Sequence, residues 1–518
     1  DWEESEVTPA TCTEKGEKKY TCKRCQKTKT EEIPATGHTK VIDEAVAPTC
    51  EKPGKTEGSH CSGCGEVYQK QEEIPATGHS WDEGKITKYP TATEAGERTY
   101  TCKSCGSTRT EAIDKDNSVR ASGYNGSISW ILYKDGKLVF KGDGAILNRS
   151  DTLEPWNSYK NYIFEVSVED GITEIGESAF SGWNNIEKVA ISENVTDIGS
   201  YAFYDCTSLE DVSLSEGLER ILIRVFENCS NLTEIVFPES VTKIGGGVFR
   251  GCSKLKKAEL PQGISEIGDN TFNRCRNLKS VTLPDNVTYI GNQAFCGCEN
   301  LTELTLPKNL KKLGENTFWD CKKITSITIP EGVTTLPEYL FNTCESLKTV
   351  TIPETVTEID QRAFQNCSSL TGIELPGGII NIQEGTFSNC TALKEIVIPE
   401  NVRNIGDNAF ERCSSLEKVI LPAVLKNIGS GTFASCSSLK EITVPDKVSN
   451  IGSSAFSGCS SLETVKLSEK LTEISDNTFE YCSGIRRIEI PESVTDINQN
   501  AFKSCENLNI ITIPNTVT

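Results

Sequence analysis

The stretch Phe341-Asn-Thr-Cys344-Glu-Ser-Leu347-Lys-Thr-Val350-Thr-Ile352-Pro353-Glu-Thr-Val356-Thr-Glu-Ile359 decides the fold. Val350 and Ile352 alternate with Thr349 and Thr351, the period of two that marks a half-buried strand. Pro353 follows at once and, lacking an N–H, ends the strand. Val356 and Ile359 form a second short apolar pair on the next side of a coil. Glycine often follows the second of them, as at Gly245, Gly268 and Gly291, and suits a tight corner there. Through Ala363 and Phe364 to Cys367 the residues are helix-compatible, so this stretch reads as a brief helical or 3₁₀ turn returning to Leu370. Such a unit has about six inward side chains and buries them only by stacking on copies of itself.

Copies are present. From Cys206 to Cys505, fourteen cysteines recur every 23 residues, and three residues before each stands a phenylalanine, Phe203 to Phe502. One step back lie Phe180 and Trp183, giving fifteen units with Trp in the first cysteine slot. A fixed period of this length without insertions marks a solenoid.

These residues resemble the leucine-rich repeats of the BspA-like family of bacterial surface proteins. The pattern appears as Leu278-Lys-Ser-Val281-Thr-Leu283-Pro284, Val287-Thr-Tyr-Ile290-Gly291 and Ala294-Phe295-Cys-Gly-Cys298. The resemblance implies an α/β leucine-rich repeat solenoid over 166–518. It would be β-rich, with a parallel sheet on the concave face and short helical or 3₁₀ turns on the convex side. Residues 116–165, with Asp135-Gly136 between two apolar runs, read as a β-hairpin cap. Parallel rungs about 4.8 Å apart would run ~70 Å.

The periodic cysteines read as small buried hydrophobes filling one slot per rung. Neighbours in register point in parallel, a poor geometry for disulfides, and Trp183 in the first slot fits a demand for apolar bulk. Cys296, off the grid and beside Phe295, is expected to be exposed and reactive.

Residues 1–115 hold a second repeat system, read as modules 1–40, 41–80 and 81–115. The first carries Cys12, Cys22, Cys25 and His38; the second carries Cys50, Cys61, Cys64 and His79. The third keeps Cys102 and Cys105, has Ala92 in place of the first Cys, and lacks the terminal His. Three thiolates and an imidazole form a tetrahedral structural-zinc set, and modules this small need a staple. Zinc in these zinc-ribbon-like modules is therefore the expected cofactor, with Cys12, Cys22, Cys25 and His38 as one site and Cys50, Cys61, Cys64 and His79 as the other. Disulfides and inert cysteines remain alternatives, as does a register joining His38 to Cys50, Cys61 and Cys64. His60 reads as a surface residue. The modules also resemble tandem Cys/Gly-His repeats of surface proteins from anaerobic Gram-positive bacteria, which implies spacers or stalks.

Composition narrows function. Net charge is -21, from 74 acidic against 53 basic residues, which argues against nucleic acid as a partner. No run of apolar residues is long enough to span a membrane. With no methionine, the chain is expected to be a matured or internal piece of a larger exported protein. All three histidines precede residue 80, so the solenoid lacks the commonest general base. Walker, GxSxG and HExxH motifs are missing. The reading is a non-catalytic, adhesin-like protein, secreted or attached to the cell wall, that binds a protein or glycan of a host or neighbouring cell. The candidate contacts are the outward strand positions Lys257, Glu259, Thr282, Thr305, Thr328, Thr349, Thr351 and Glu374. The alternatives are a structural spacer or scaffold displaying a further domain, and a carbohydrate-binding component of a glycan-degrading assembly.

Overall fold

The computed structural model describes residues 1–88, 95–114, 119–147 and 154–518. Ala92 and the boundary expected at 116 lie outside them. The chain divides into two compact units, 1–118 and 119–518.

In the larger unit most rungs contribute two short parallel strands (the rung of Ile373 has only the second), and each strand pairs with a counterpart one period away. Ser326, Ile327 and Thr328 pair with Thr349, Val350 and Thr351. On the adjacent side Thr335 and Leu336 pair with Glu358 and Ile359. The alternation in the opening stretch holds: Val350 and Ile359 are buried, while Thr349 and Thr351 are exposed. The glycine after the second strand answers a different need from a turn. A Cβ on Gly291 would lie 2.6 Å from the Asp269 backbone nitrogen of the preceding rung, so the two rungs approach closely at this glycine.

The helical or 3₁₀ turns expected on the third side do not form. The only helical element among the described residues is the 3₁₀ turn Asn157–Tyr162, which precedes the repeats. The reason lies in the backbone. Residues two before and two after each phenylalanine are left-handed, as at Arg362 (φ 56°) and Asn366 (φ 62°) around Phe364, and this breaks a right-handed helix. Alternate amides then split their bonds. Ala363, Gln365 and Cys367 donate within the rung, to Asp360, Arg362 and Phe364. Arg362, Phe364 and Asn366 donate to carbonyls of the next rung, Glu384, Thr386 and Ser388. A helix would keep all these bonds to itself; the solenoid uses half of them to join its rungs.

The core is a ladder. Phe180 to Phe502 stack in near-parallel pairs, with ring centroids 5.3 Å apart at Phe272–Phe295 and 5.5 Å at Phe456–Phe479. That is wider than the ~4.8 Å between hydrogen-bonded strands, so the rungs splay on the phenylalanine side and the strands lie on the inner side of the bend.

The cap forms as a hairpin of Ile128–Tyr133 and Lys137–Gly142, with Val119–Asn125 on its outer edge. Lys137–Gly142 then pairs in parallel with Glu165–Val168, turning an antiparallel hairpin into the start of the solenoid sheet. Phe140 contacts both Trp156 (4.9 Å between centroids) and Phe180 (5.8 Å), so the cap extends the aromatic ladder and covers its first rung.

The smaller unit is built of short antiparallel strands. Trp2–Thr8, Gly16–Cys22 and Thr28–Ile33 make one sheet; Lys85–Lys88, Gly96–Thr101 and Thr108–Ile113 make another. Lys40–Asp43, Gly58–Cys61 and Val67–Gln69 lie between them in sequence and form a third. Among the described residues of this unit, the only buried hydrophobic side chains are Cys12, Cys50, Cys61 and Cys102. Its core consists of thiols.

Candidate functional site

The smaller unit gathers its Cys and His residues into two clusters that differ from the expected ones. Cys12 and His38 meet Cys61 and Cys64; Cys50 and His79 meet Cys102 and Cys105. In each set the ligand atoms all lie within 4.8 Å of one another. Cys22 and Cys25, expected to complete the first set, belong to neither. Cys102 and Cys105, absent from the expected sites, complete the second. The alternative register pairs His38 with the CxxC observed, Cys61 and Cys64, but Cys12 rather than Cys50 closes that group.

The correction follows from strand geometry. Gly16–Cys22 is extended, so at about 3.3 Å per residue it carries Cys22 some 20 Å from Gly16, away from the turn that holds Cys12. A module's first cysteine and its own CxxC therefore sit at opposite ends of a sheet. The returning chain brings the histidine back to the first cysteine, through Thr36 N–H to Thr11 O (3.0 Å) and Thr77 N–H to Thr49 O (3.0 Å). The following knuckle docks just beyond that histidine, through Ser62 N–H to Thr39 O (3.0 Å) and Lys103 N–H to Ser80 O (2.8 Å).

Within the clusters, Cys12 Sγ lies 3.5 Å from Cys61 Sγ, and Cys64 Sγ lies 3.3 Å from His38 Nδ1. In the second, Cys50 Sγ is 3.7 Å from Cys102 Sγ, and Cys105 Sγ is 3.4 Å from His79 Nδ1. All the cysteines are free thiols. Burial pushes the Cys61 thiol up, but the backbone N–H groups of Cys64 and Gly63 together with His38 outweigh it and bring it to about 5. Cys102 reaches about 5 in the same way: burial opposes, and the Ser104 N–H and His79 prevail. Cys12 moves up to about 11, through its contact with Cys61 and then through burial. His60 is in neither cluster; its Nδ1 lies 2.9 Å from Asp43 Oδ2 on a partly exposed surface.

The solenoid cysteines behave otherwise. Each of the fourteen, from Cys206 to Cys505, donates its S–H to the carbonyl of the phenylalanine one rung back, as Cys344 does to Phe318 O (3.2 Å). Burial pushes Cys206 up to about 12, so the proton this bond requires stays in place. The slot is thus a donor as well as an apolar filler. Trp183 occupies it in the first repeat rung. Cys296 departs from expectation. It is half-buried, and burial first, with the Asp320 charge second, pushes its thiol up to about 11, the reverse of an activated thiol.

Lys257, Glu259, Thr282, Thr305, Thr328, Thr349, Thr351 and Glu374 are all exposed; Thr305 and Glu374 lie outside the strands, and the other six sit on paired parallel strands. Lys257 and Glu259 pair with each other. Thr305, Thr328 and Thr351, with Ser326, Lys308 and Glu331, line a depression of about 600 Å³. The column interrupts its hydroxyls with exposed aliphatics, Val236 (74% exposed), Val397 (59%) and Ile420 (44%).

The family model described as BspA type Leucine rich repeat region matches in overlapping segments, 157–279, 265–391, 311–439, 357–486 and 426–518. The chain belongs to the BspA-type leucine-rich repeat family. Among solved structures, a leucine-rich repeat protein from Bacteroides ovatus is 25% identical with a TM-score of 0.62, over 77% of this chain and 99% of that one. A leucine rich cell surface protein from Faecalibacterium prausnitzii is 27% identical with a TM-score of 0.41, over 65% of this chain and 96% of that one. Among curated proteins none matches. The BspA-type match begins at residue 157, so it leaves the cysteine modules outside it. No helix among the described residues is long and apolar enough to cross a membrane.

Proposed function

We propose that this BspA-type protein is a non-catalytic recognition protein, displayed outside the cell or on its wall, that binds a macromolecule of a host or neighbouring cell through the inner strand face. The observation that carries this is the depression lined by Thr305, Thr328 and Thr351. Paired parallel strands hold Thr328 and Thr351 in register, and extended faces of this kind are what solenoids offer partners. Exposed Val236, Val397 and Ile420 add apolar contacts along the same column. Aliphatics among hydroxyls, without a row of aromatic rings, favour a protein partner over a glycan.

The test is binding of the full chain to arrays of extracellular proteins and glycans. A protein ligand is expected, lost in Thr328→Arg, which fills the depression, and kept in Glu345→Lys on the turn side. Silence on both arrays, or binding indifferent to Thr328→Arg and Ile420→Asp, would instead make the solenoid a spacer.

A further inference from the structure

We propose that zinc ions, each held by three thiolates and one imidazole, join every cysteine module to the next. Zn–S bonds of about 2.3 Å and Zn–N bonds of about 2.05 Å at tetrahedral angles place sulfurs about 3.8 Å apart and sulfur and nitrogen about 3.5 Å apart. The clusters show 3.5 and 3.7 Å between sulfurs, and 3.3 and 3.4 Å between sulfur and nitrogen. A disulfide needs about 2.05 Å. A second observation is independent of the first. Each histidine turns Nδ1 to the thiols and Nε2 to a carboxylate: Glu66 Oε2 at 3.4 Å from His38, and Glu51 Oε1 at 3.7 Å from His79. At these distances each carboxylate is an ion-pair neighbour of the far nitrogen rather than a hydrogen-bond acceptor, and its charge favours a ring that presents Nδ1 to the thiols. Gly63 keeps the first site tight, since a Cβ there would lie 2.6 Å from Cys12 Sγ. Four protein ligands close each site, as in structural rather than catalytic zinc.

The wiring has a direction. Each linked module gives a Cys and a His forward and receives the next knuckle. The third module keeps the receiving half, Cys102 and Cys105, and has neither giving residue, since the two serve only together. Cys22 and Cys25 form the same knuckle: Gln26 N–H meets Cys22 O at 3.0 Å, as Gly65 N–H meets Cys61 O at 2.9 Å. No Cys–His pair reaches them among the described residues. The proposal therefore assigns two zinc ions to this chain and leaves Cys22 and Cys25 as reactive thiols.

Zinc content of the dialysed full chain, with thiol titration of the native protein, tests it. Two zinc per chain are expected in the parent protein and in Cys22→Ser, and one in Cys12→Ser and in Cys105→Ser. Cys22 and Cys25 should be the fast-reacting pair. The wiring is overturned if Cys22→Ser loses one equivalent while Cys105→Ser keeps both, the result for sites confined to single modules. Less than one zinc per chain with oxidised CxxC pairs overturns zinc itself. If Cys105→Ser fails to fold, Cys22→Ser still decides, because its side chain lies outside both clusters.

Discussion

The two units use cysteine in opposite ways. In residues 1–118 the thiols converge on points and are nearly the whole of the interior; in 119–518 they form a line inside a large apolar core. Cys61, facing backbone N–H groups and an imidazole, is drawn down to about 5 against its own burial, whereas burial drives Cys206 up to about 12. One is a ready ligand and the other a locked S–H donor. Cysteine periodicity alone therefore does not name the chemistry: what faces the sulfur does.

The sharpest break between the units is predicted for chelation. With zinc removed, residues 1–118 have little to hold them, because a metal site in so small a module supplies folding free energy directly. Limited proteolysis in excess chelator should digest this unit and spare the solenoid. Equal resistance with and without chelator would refute a metal core. The next effect belongs to the solenoid. Phe341→Ala, in mid-ladder and fully buried, should cost about 3–5 kcal/mol. Phe502→Ala, only partly buried, should cost less than half of that, read as a shift of the denaturation midpoint. Equal costs would mean that the ladder is not the core.

Alkaline pH should also separate the units. The buried solenoid thiols have folded values raised above the ordinary 9.0, Cys206 and Cys413 to about 12. The unfolded chain thus ionises first. The stabilisation they give is complete below about pH 9 and falls as pH rises toward 12, by about 1.4 kcal/mol per pH unit for each such thiol. Circular dichroism of the solenoid between pH 8 and 11 should show this loss, and Cys→Val at several rungs should flatten it. A pH-independent solenoid would mean that the thiols are not sealed from water.

Much of the fold was legible because each rung repeats its own chemistry. Phe, Cys, the Thr–Val–Thr alternation and the strand-ending Pro fix period, register and burial within one unit. The turns misled because residues such as Ala363 and Phe364 are locally compatible with a helix; the left-handed Arg362 and Asn366 are imposed by bonds to the next rung, which no single rung displays. The Cys–His residue types were legible and their grouping was not. Counting four ligands per repeat assumes that a site closes inside its repeat, but a strand between Cys12 and Cys22 forbids it. The sequence did hold a clue: the third module retains Cys102 and Cys105 after losing both Cys and His, as half-sites shared between neighbours would.

The smallest effect tests the donor role of the solenoid slot. Phe318 O accepts the Cys344 S–H and also the Cys321 N–H at 3.2 Å, so removing the thiol leaves the carbonyl satisfied. Cys344→Ala, which loses volume and donor together, should cost about 1–2 kcal/mol. Cys344→Ser keeps a donor and should cost about half as much, because its hydroxyl can bond the same carbonyl. If serine proves no better than alanine, the S–H contact contributes nothing and the slot asks only for bulk, as Trp183 in the first rung would then imply for the whole ladder.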